Sequence, residues 1–326
     1  MSVRRVLIIG CNGLLGQKVT ELFVRGSSYS ITLASLEPKP LQAFPSVEYT
    51  PFDMTSKKEV RQLVYGCEPD VIINCAAMTN VDACENEREL AWKINVGGLE
   101  NLIEAARRSN ARIVHVSSDY IFDGKAGPYT EEDRPEPLSY YGKTKLAGEN
   151  ALRMSGLEYF IARTMVLYGY APGTKMNFAL WLLQSLEKKT QVKVVNDQYG
   201  NPTLADDLAY GIMRGVEVER TGIYNIAGRE IVHRHEFATR LASAFGFDPS
   251  LIIPIKTASL NQPAARPLKS GLITLKAEVE LGIKPSNVDE GIAILKSQLS
   301  RSARRLGDSA PVPGQSGGKH STGRKK

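Results

Sequence analysis

"VLIIGCNGLLG", residues 6–16, decides the fold. Four consecutive apolar residues, Val6 to Ile9, end on Gly10, and Gly13 and Gly16 follow at intervals of three as the helical pattern "LLGQKVTELFVRG" begins. A short run that is apolar at every position reads as a strand buried on both faces. Gly10 permits the tight turn, Gly13 lets the backbone approach a pyrophosphate at the positive helix terminus, and Gly16 allows close packing of helix on strand. A glycine triplet alone is a weak signal. Here strand, turn and helix fall in the order that a dinucleotide-binding unit requires. The spacing is G-x-x-G-x-x-G, with Asn12 where the more familiar pattern has its second glycine.

The alternation continues outward from this unit. "SITLASL", "VEYTPFD", "DVIINCAA", "ARIVHVSSD" and "LEYFIARTMVLYG" read as further strands, and amphipathic stretches such as "KKEVRQLVYG" and "YGKTKLAGENALRMSG" lie between them. Strands alternating with helices predict an α/β fold, a doubly wound parallel sheet. We place this nucleotide-binding domain at residues 1–169, with one further strand near 221–228. Past Gly169 the rhythm breaks, and residues 170–300 read as a smaller, interleaved C-terminal substrate-binding region.

Composition narrows the function. The net charge of +6 over 326 residues comes from the end of the chain: residues 301–326 carry seven Lys or Arg and one acid, which leaves 34 bases and 34 acids in the body. A balanced body lacks the clustered cations of a nucleic-acid-binding face. The tail, rich in Gly, Ser and Pro with few apolar residues, reads as disordered. "MSVRRVLIIGC" resembles a signal sequence, but its apolar run is too short, and no span of about 20 apolar residues occurs elsewhere. The expected location is the cytoplasm, without membrane partners. The four cysteines form no C-x-x-C pair, and His233 and His235 lack a third ligand, so no metal is expected.

Strand ends carry the candidate chemistry. Asp53 closes the third strand and is either a contact to an adenine amine or a helix cap, though Thr55 or Ser56 could cap as well. The second strand ends in "ITLASLEPK", which places Ser35 and Glu37 near the position of a ribose-binding carboxylate; with Ser35 in that position a 2'-phosphate is not repelled. The fourth strand ends in the small residues of "NCAAMTN", leaving room for a ligand. The fifth ends in the serine pair of "HVSSDYIFDG". "SYYGKTK" follows, where only Tyr141 and Lys145 stand four apart and share a helical face. An ammonium about 4 Å from a phenol contributes roughly 4 kcal/mol at an effective dielectric of about 20, which predicts a Tyr141 able to act as acid or base near neutrality.

"GCNGLLG", "NCAA", "VSSDYIFDG" and "YYGKTKLAGE" together resemble the extended short-chain dehydrogenase/reductase superfamily of Rossmann proteins. Within it, "PYTEEDRPEPLSYYGKTKLAGE", "VVNDQYGNPTLADDLA", "GIYNIAG" and "ARPLKSGL" look like the dTDP-4-dehydrorhamnose reductase family, over about residues 4 to 295. The resemblance implies a catalytic triad of Ser118, Tyr141 and Lys145. It implies contacts to NADPH or NADH from Gly10, Gly13, Leu14, Leu15, Gly16, Asp53, Met54, Ala76, Ala77 and Met78, with Asn95 in a structural role beside the cofactor. For a nucleotide-sugar substrate it implies Ser118, Asp119, Tyr141, Val166, Asn201 and Arg266. The implied activity is NAD(P)H-dependent reduction of a 4-keto nucleotide sugar, with dTDP-4-dehydro-L-rhamnose as prototype, and a homodimer is allowed. The alternatives are a nucleotide-sugar epimerase with retained NAD, or a non-catalytic regulatory subunit like the methionine adenosyltransferase beta subunit. Two positions depart from the family: Val166 stands where "RTSWVYG" has its Trp, and Lys269 where an Asn is frequent.

Overall fold

The first strand divides its side chains between two cores. In the computed structural model, which describes residues 3–26, 28–45 and 47–305, β1 (Arg4–Ile9) sends Val6 and Ile8 into one hydrophobic cluster and Leu7 and Ile9 into another. Side chains alternate across a strand, so a run apolar at every position can satisfy a covered sheet on both faces. The strands that follow are β2 (Tyr29–Ser35), β3 (Glu48–Pro51), β4 (Val71–Asn74), β5 (Arg112–Ser118) and β6 (Tyr159–Thr164). Then come the short β7 (Leu167–Tyr168), β8 (Val192–Val195), β9 (Tyr199–Gly200), β10 (Thr203–Leu204), β11 (Gly222–Asn225), β12 (Val232–His233) and β13 (Ile252–Ile255). Among the described residues the main sheet has seven strands in the order β11-β6-β5-β4-β1-β2-β3, every pair parallel. This is the doubly wound Rossmann-type α/β fold that the sequence predicts.

The helices in chain order are α1 (Leu14–Arg25), α2 (Lys57–Cys67), α3 (Val81–Asn86), α4 (Arg88–Trp92), α5 (Gly98–Ser109), α6 (Tyr140–Arg153), α7 (Phe178–Glu187), α8 (Ala205–Glu217), α9 (Arg234–Phe245), α10 (Leu275–Leu281) and α11 (Val288–Arg305). Apolar residues of α1, α8 and α10 fill the core on one face of the sheet, and those of α2, α5 and α6 fill the other. A third core joins α7, α9 and α11 to β8 and packs beside the sheet rather than on it. Helix α11 runs to Arg305, five residues past the point where the sequence places the start of the tail; residues 306–326 lie outside the described residues. Among the described residues no helix is long and apolar enough to cross a membrane.

Candidate active site

The strand order sets β1 beside β4 at the point where the winding reverses direction. A ligand crevice opens there, outside the carboxyl ends of the strands. Gly10 turns the chain with φ +75°, and a β-carbon on it would come within 2.8 Å of the Ala76 backbone nitrogen. One on Gly16 would be driven into the Gly10 carbonyl and to 2.7 Å from Cys11 Cα. Gly13 opens α1 without any side-chain cap. The first N–H groups of a twelve-residue helix are thereby left for a ligand, the arrangement that receives phosphate oxygens. These residues fit a dinucleotide cofactor.

Other expected cofactor residues differ in what they can offer. Leu14 stands at the first helical position by the mouth, whereas Leu15 is buried in the core under α1. Met54 turns its side chain inward against Gly98, and its carbonyl accepts from Asn101 Nδ2 at 3.1 Å, so its side chain faces the core rather than the crevice. Asp53 folds its carboxylate onto Thr55 N and Oγ1, at 2.8 and 2.9 Å, while the cap of α2 is Ser56. Asn74 Oδ1 accepts from Ala76 N at 3.0 Å and shapes the "NCAAM" turn. Asn95 sits in a π-helical turn, Lys93–Gly97, 3 % exposed. Its Oδ1 accepts from Met78 N at 2.8 Å and its Nδ2 donates to the Met78 carbonyl and to Thr144 Oγ1. Asn95 therefore ties the Met78 loop to α6, with its amide committed within the protein.

At the end of β2 the choice between Ser35 and Glu37 resolves into a pair. Ser35 Oγ donates to Glu37 Oε2 at 2.7 Å, and Asn12 Nδ2 donates to the same oxygen at 3.0 Å. These bonds, Ser35 first, hold the Glu37 carboxyl below the usual range and so ionised. Both residues that the sequence places near a ribose-binding position therefore stand together at this strand end, the serine bonded to the carboxylate. Asn12, where a second glycine is more familiar, is what reaches over to fix it.

Ser118 closes β5 and its hydroxyl bonds the Tyr141 phenol at the start of α6, with Lys145 one turn further along that helix. Ser139 caps α6 by accepting from Gly142 N at 3.2 Å. Gly142 lets the helix press against the Tyr120 carbonyl, where a β-carbon would collide. The result buries Tyr141, 8 % exposed, edge-on to Tyr120 with ring centroids 5.5 Å apart. Tyr140 turns the other way, under Arg88. The opposite end of α6 is anchored by a buried bidentate pair, Arg163 Nε and Nη2 to the two Glu149 oxygens at 3.0 and 2.8 Å.

Protonation in this site departs from the sequence-based expectation. Burial pushes the Tyr141 phenol well above its ordinary pKa, with the Ser118 hydroxyl opposing, and Lys145 is not among the causes. Lys145 Nζ lies 3.2 Å from His115 Nε2 instead. Burial lowers Lys145 to about 8. Asp119, bonded by Ser118 Oγ at 3.1 Å and Ser270 Oγ at 2.8 Å, is pushed up to about 6 by burial. The phenol is thus held as a proton donor, and Lys145 does not bring it to neutrality in this arrangement.

A cavity beyond Ser118 is walled by Asp119, Val166, Gln198, Tyr199, Arg234 and Ser270, among others. Val166 also lines it, in the left-handed region at φ +46°, which is costly for a β-branched residue. Two expected substrate residues are otherwise engaged. Asn201 is 2 % exposed and spends its amide on the Gly228 carbonyl, at 2.6 Å, and on Leu272 N, at 2.8 Å; it is a structural cross-link and does not face the cavity. Arg266 is bound bidentately by Asp82, at 2.8 Å twice, and donates to the Ala264 carbonyl. Arg234 is a residue that sequence reasoning misses: its guanidinium lines the cavity over the Phe178 ring, 5.0 Å from the centroid. In the sequence it stands between two histidines, of which His233 caps α9 and His235 Nε2 meets the Ile252 carbonyl at 3.1 Å. His115 is a second such residue, although strand alternation places it on the face of Ile113, towards α6.

A Rossmann-type sheet, a glycine cradle at its switch point and a Ser–Tyr–Lys group at the end of β5, two strands along the same sheet edge, define a protein of the short-chain dehydrogenase/reductase class. The family model described as the RmlD substrate binding domain matches residues 4–300, and the chain belongs to that family. It is similar to the dTDP-4-dehydrorhamnose reductase of Aggregatibacter actinomycetemcomitans, 33 % identical over 295 residues that span 87 % of this chain and 95 % of that one. It is also similar to the methionine adenosyltransferase 2 subunit beta of Rattus norvegicus, 32 % identical over 287 residues, 86 % and 83 % of the two chains. Among solved structures, dTDP-4-dehydrorhamnose reductase from Bacillus anthracis in complex with NADP superposes with a TM-score of 0.80 at 29 % identity, covering 90 % of this chain and 99 % of that one.

Proposed function

We propose that this protein is an NAD(P)H-dependent oxidoreductase that reduces the C4 ketone of a nucleotide sugar, as the related dTDP-4-dehydrorhamnose reductases do by name. The observation that carries the reading is the placement of buried Tyr141 and Lys145 on α6 with Ser118 at the end of β5, on the same sheet edge as the glycine cradle and two strands from it. Gly10, Gly13 and Gly16 with the first turn of α1 would hold the diphosphate of NADH or NADPH, and Ala76 to Met78 would border it. That cofactor supplies the hydride when bound. Ser118 orients the sugar carbonyl by hydrogen bonding to its oxygen. Tyr141, kept protonated by burial, delivers its proton to the same oxygen as negative charge develops there. Without substrate Ser118 Oγ donates to one Asp119 oxygen while Ser270 Oγ donates to the other, and the Ser118 O–H turns from Asp119 to the sugar oxygen when substrate binds; Val166, Gln198, Tyr199 and Arg234 bound the sugar pocket.

The test is a panel of 4-keto nucleotide sugars, dTDP-4-dehydro-L-rhamnose first, assayed with NADH and with NADPH. Oxidation of the cofactor matched by sugar reduction is expected. Epimerisation without net cofactor oxidation, or no turnover of any sugar together with capture of a methionine adenosyltransferase catalytic chain, would overturn the proposal.

A further inference from the structure

The imidazole of His115 stands between two groups that both offer it protons. On one side Asn74 Nδ2 lies 3.3 Å from Nδ1; on the other Lys145 Nζ lies 3.2 Å from Nε2. The Asn74 amide cannot be reversed, because its Oδ1 already accepts from the backbone N–H of Ala76 at 3.0 Å, and a backbone N–H only donates. Nδ2 is therefore a donor, Nδ1 must accept, and the single proton of a neutral imidazole is left on Nε2. Burial keeps the ring neutral by holding its pKa well below the ordinary value. An Nε2–H aimed at Lys145 Nζ is a good hydrogen bond to a free amine and a clash of donors with an ammonium.

We infer that His115, oriented by Asn74, is a positioning residue that docks Lys145 as the free amine and releases it towards Tyr141 as the ammonium. The inference rests on the reduction proposed above. In that reaction Tyr141 gives its phenolic proton to the sugar alkoxide, and the phenolate takes a proton from the Lys145 ammonium. The amine so formed turns its lone pair to the His115 Nε2–H, and a solvent proton later restores the ammonium. Protons balance: one is consumed from solvent for each ketone reduced. The other titratable groups near Lys145 are Tyr141 and Glu149, one turn before and one turn after it on its own helix, and Cys84 on α3; Glu149 is paired with Arg163 of β6. With Lys145 already lowered to about 8, both of its forms are accessible in the working range.

The tautomer can be read directly in the full chain labelled with ¹⁵N-histidine, which has four histidines to assign. The wild type should show the His115 Nε2–H tautomer from pH 6 to 10; an Nδ1–H tautomer or an imidazolium overturns the inference. Asn74→Asp should invert it, since a carboxylate would accept from Nδ1–H and turn the Nε2 lone pair towards Lys145. The charged lysine is then favoured, and the alkaline limb of the kcat profile should move up by about one pH unit or more. A limb that stays in place while the tautomer inverts would also overturn it. Should Asn74→Asp not fold, the wild-type spectrum decides alone. Because the spectrum needs no substrate, a wrong tautomer would refute this inference with reduction intact, and absent turnover would refute the reduction with the tautomer still measured.

Discussion

Gly142→Ala should damage catalysis far more than a glycine-to-alanine change in a helix ordinarily does. On propensity alone, alanine stabilises a helix by about 1 kcal/mol relative to glycine. At Gly142, however, the added carbon would lie well inside contact with the Tyr120 carbonyl oxygen and 3.0 Å from Pro137 Cβ. Carbon approaches a carbonyl oxygen ordinarily to about 3.3 Å, so the start of α6 must retreat by roughly 1 Å. Tyr141 adjoins this residue, and its phenol moves with it relative to Ser118. A displacement of about 1 Å in a reacting group costs on the order of 10²-fold in rate, or about 2.7 kcal/mol of barrier. The loss should fall on kcat, with cofactor affinity measured by NADPH fluorescence little changed, since the glycine cradle lies in the turn between β1 and α1. Gly66→Ala in α2 is the control, as nothing lies within 4 Å of its added carbon; it should leave kcat unchanged and raise Tm slightly. If Gly142→Ala keeps kcat within about twofold of wild type, the close seat of α6 on Tyr120 does not position Tyr141.

Glu37→Ala should raise the NADPH-to-NADH ratio of kcat/KM by about tenfold or more: two charges about 4 Å apart interact by roughly 4 kcal/mol at a dielectric of about 20, and solvent exposure of Glu37 reduces this to about a third. An unchanged ratio would place the ribose away from Glu37. Arg163→Ala should cost about 3–5 kcal/mol in urea unfolding, because it leaves the Glu149 carboxylate buried without its partner; a loss below about 1 kcal/mol would contradict the anchoring of α6. Val166→Trp should sharpen discrimination between sugars that differ at C6 by roughly two- to tenfold, the worth of an added aromatic contact, read as the ratio of kcat/KM values.

The sheet is legible because its signal is local and repeated: Val6 to Ile9, Ile72 and Ile73, and Phe160 to Ala162 are apolar at successive positions, which only a two-sided sheet can bury. Helical spacing alone selects Tyr141 over Tyr140. What escapes depends on contacts between distant segments. Nothing in "IVHRHEF" says that Arg234 rather than its histidines faces a cavity, since that follows from where β12 meets β9. Asn201 and Arg266 have the right chemistry for a diphosphate, and only the fold shows their groups spent on Gly228, Leu272 and Asp82. Lys145 pairs with Tyr141 on helical spacing because they share a face; no local pattern reveals that His115, thirty residues earlier, stands against its Nζ.

The central claim is that Tyr141 protonates a sugar C4 oxygen while hydride arrives at C4, and isotope transfer tests it most directly. With NADH carrying deuterium at both nicotinamide C4 positions and dTDP-4-dehydro-L-rhamnose, the wild type and Tyr140→Phe should place deuterium at C4 of the product, one for each cofactor oxidised. Tyr141→Phe should slow that transfer by about 10² to 10⁴ while binding the cofactor normally. Equal rates in the two phenylalanine variants, or product without deuterium at C4, would contradict the account.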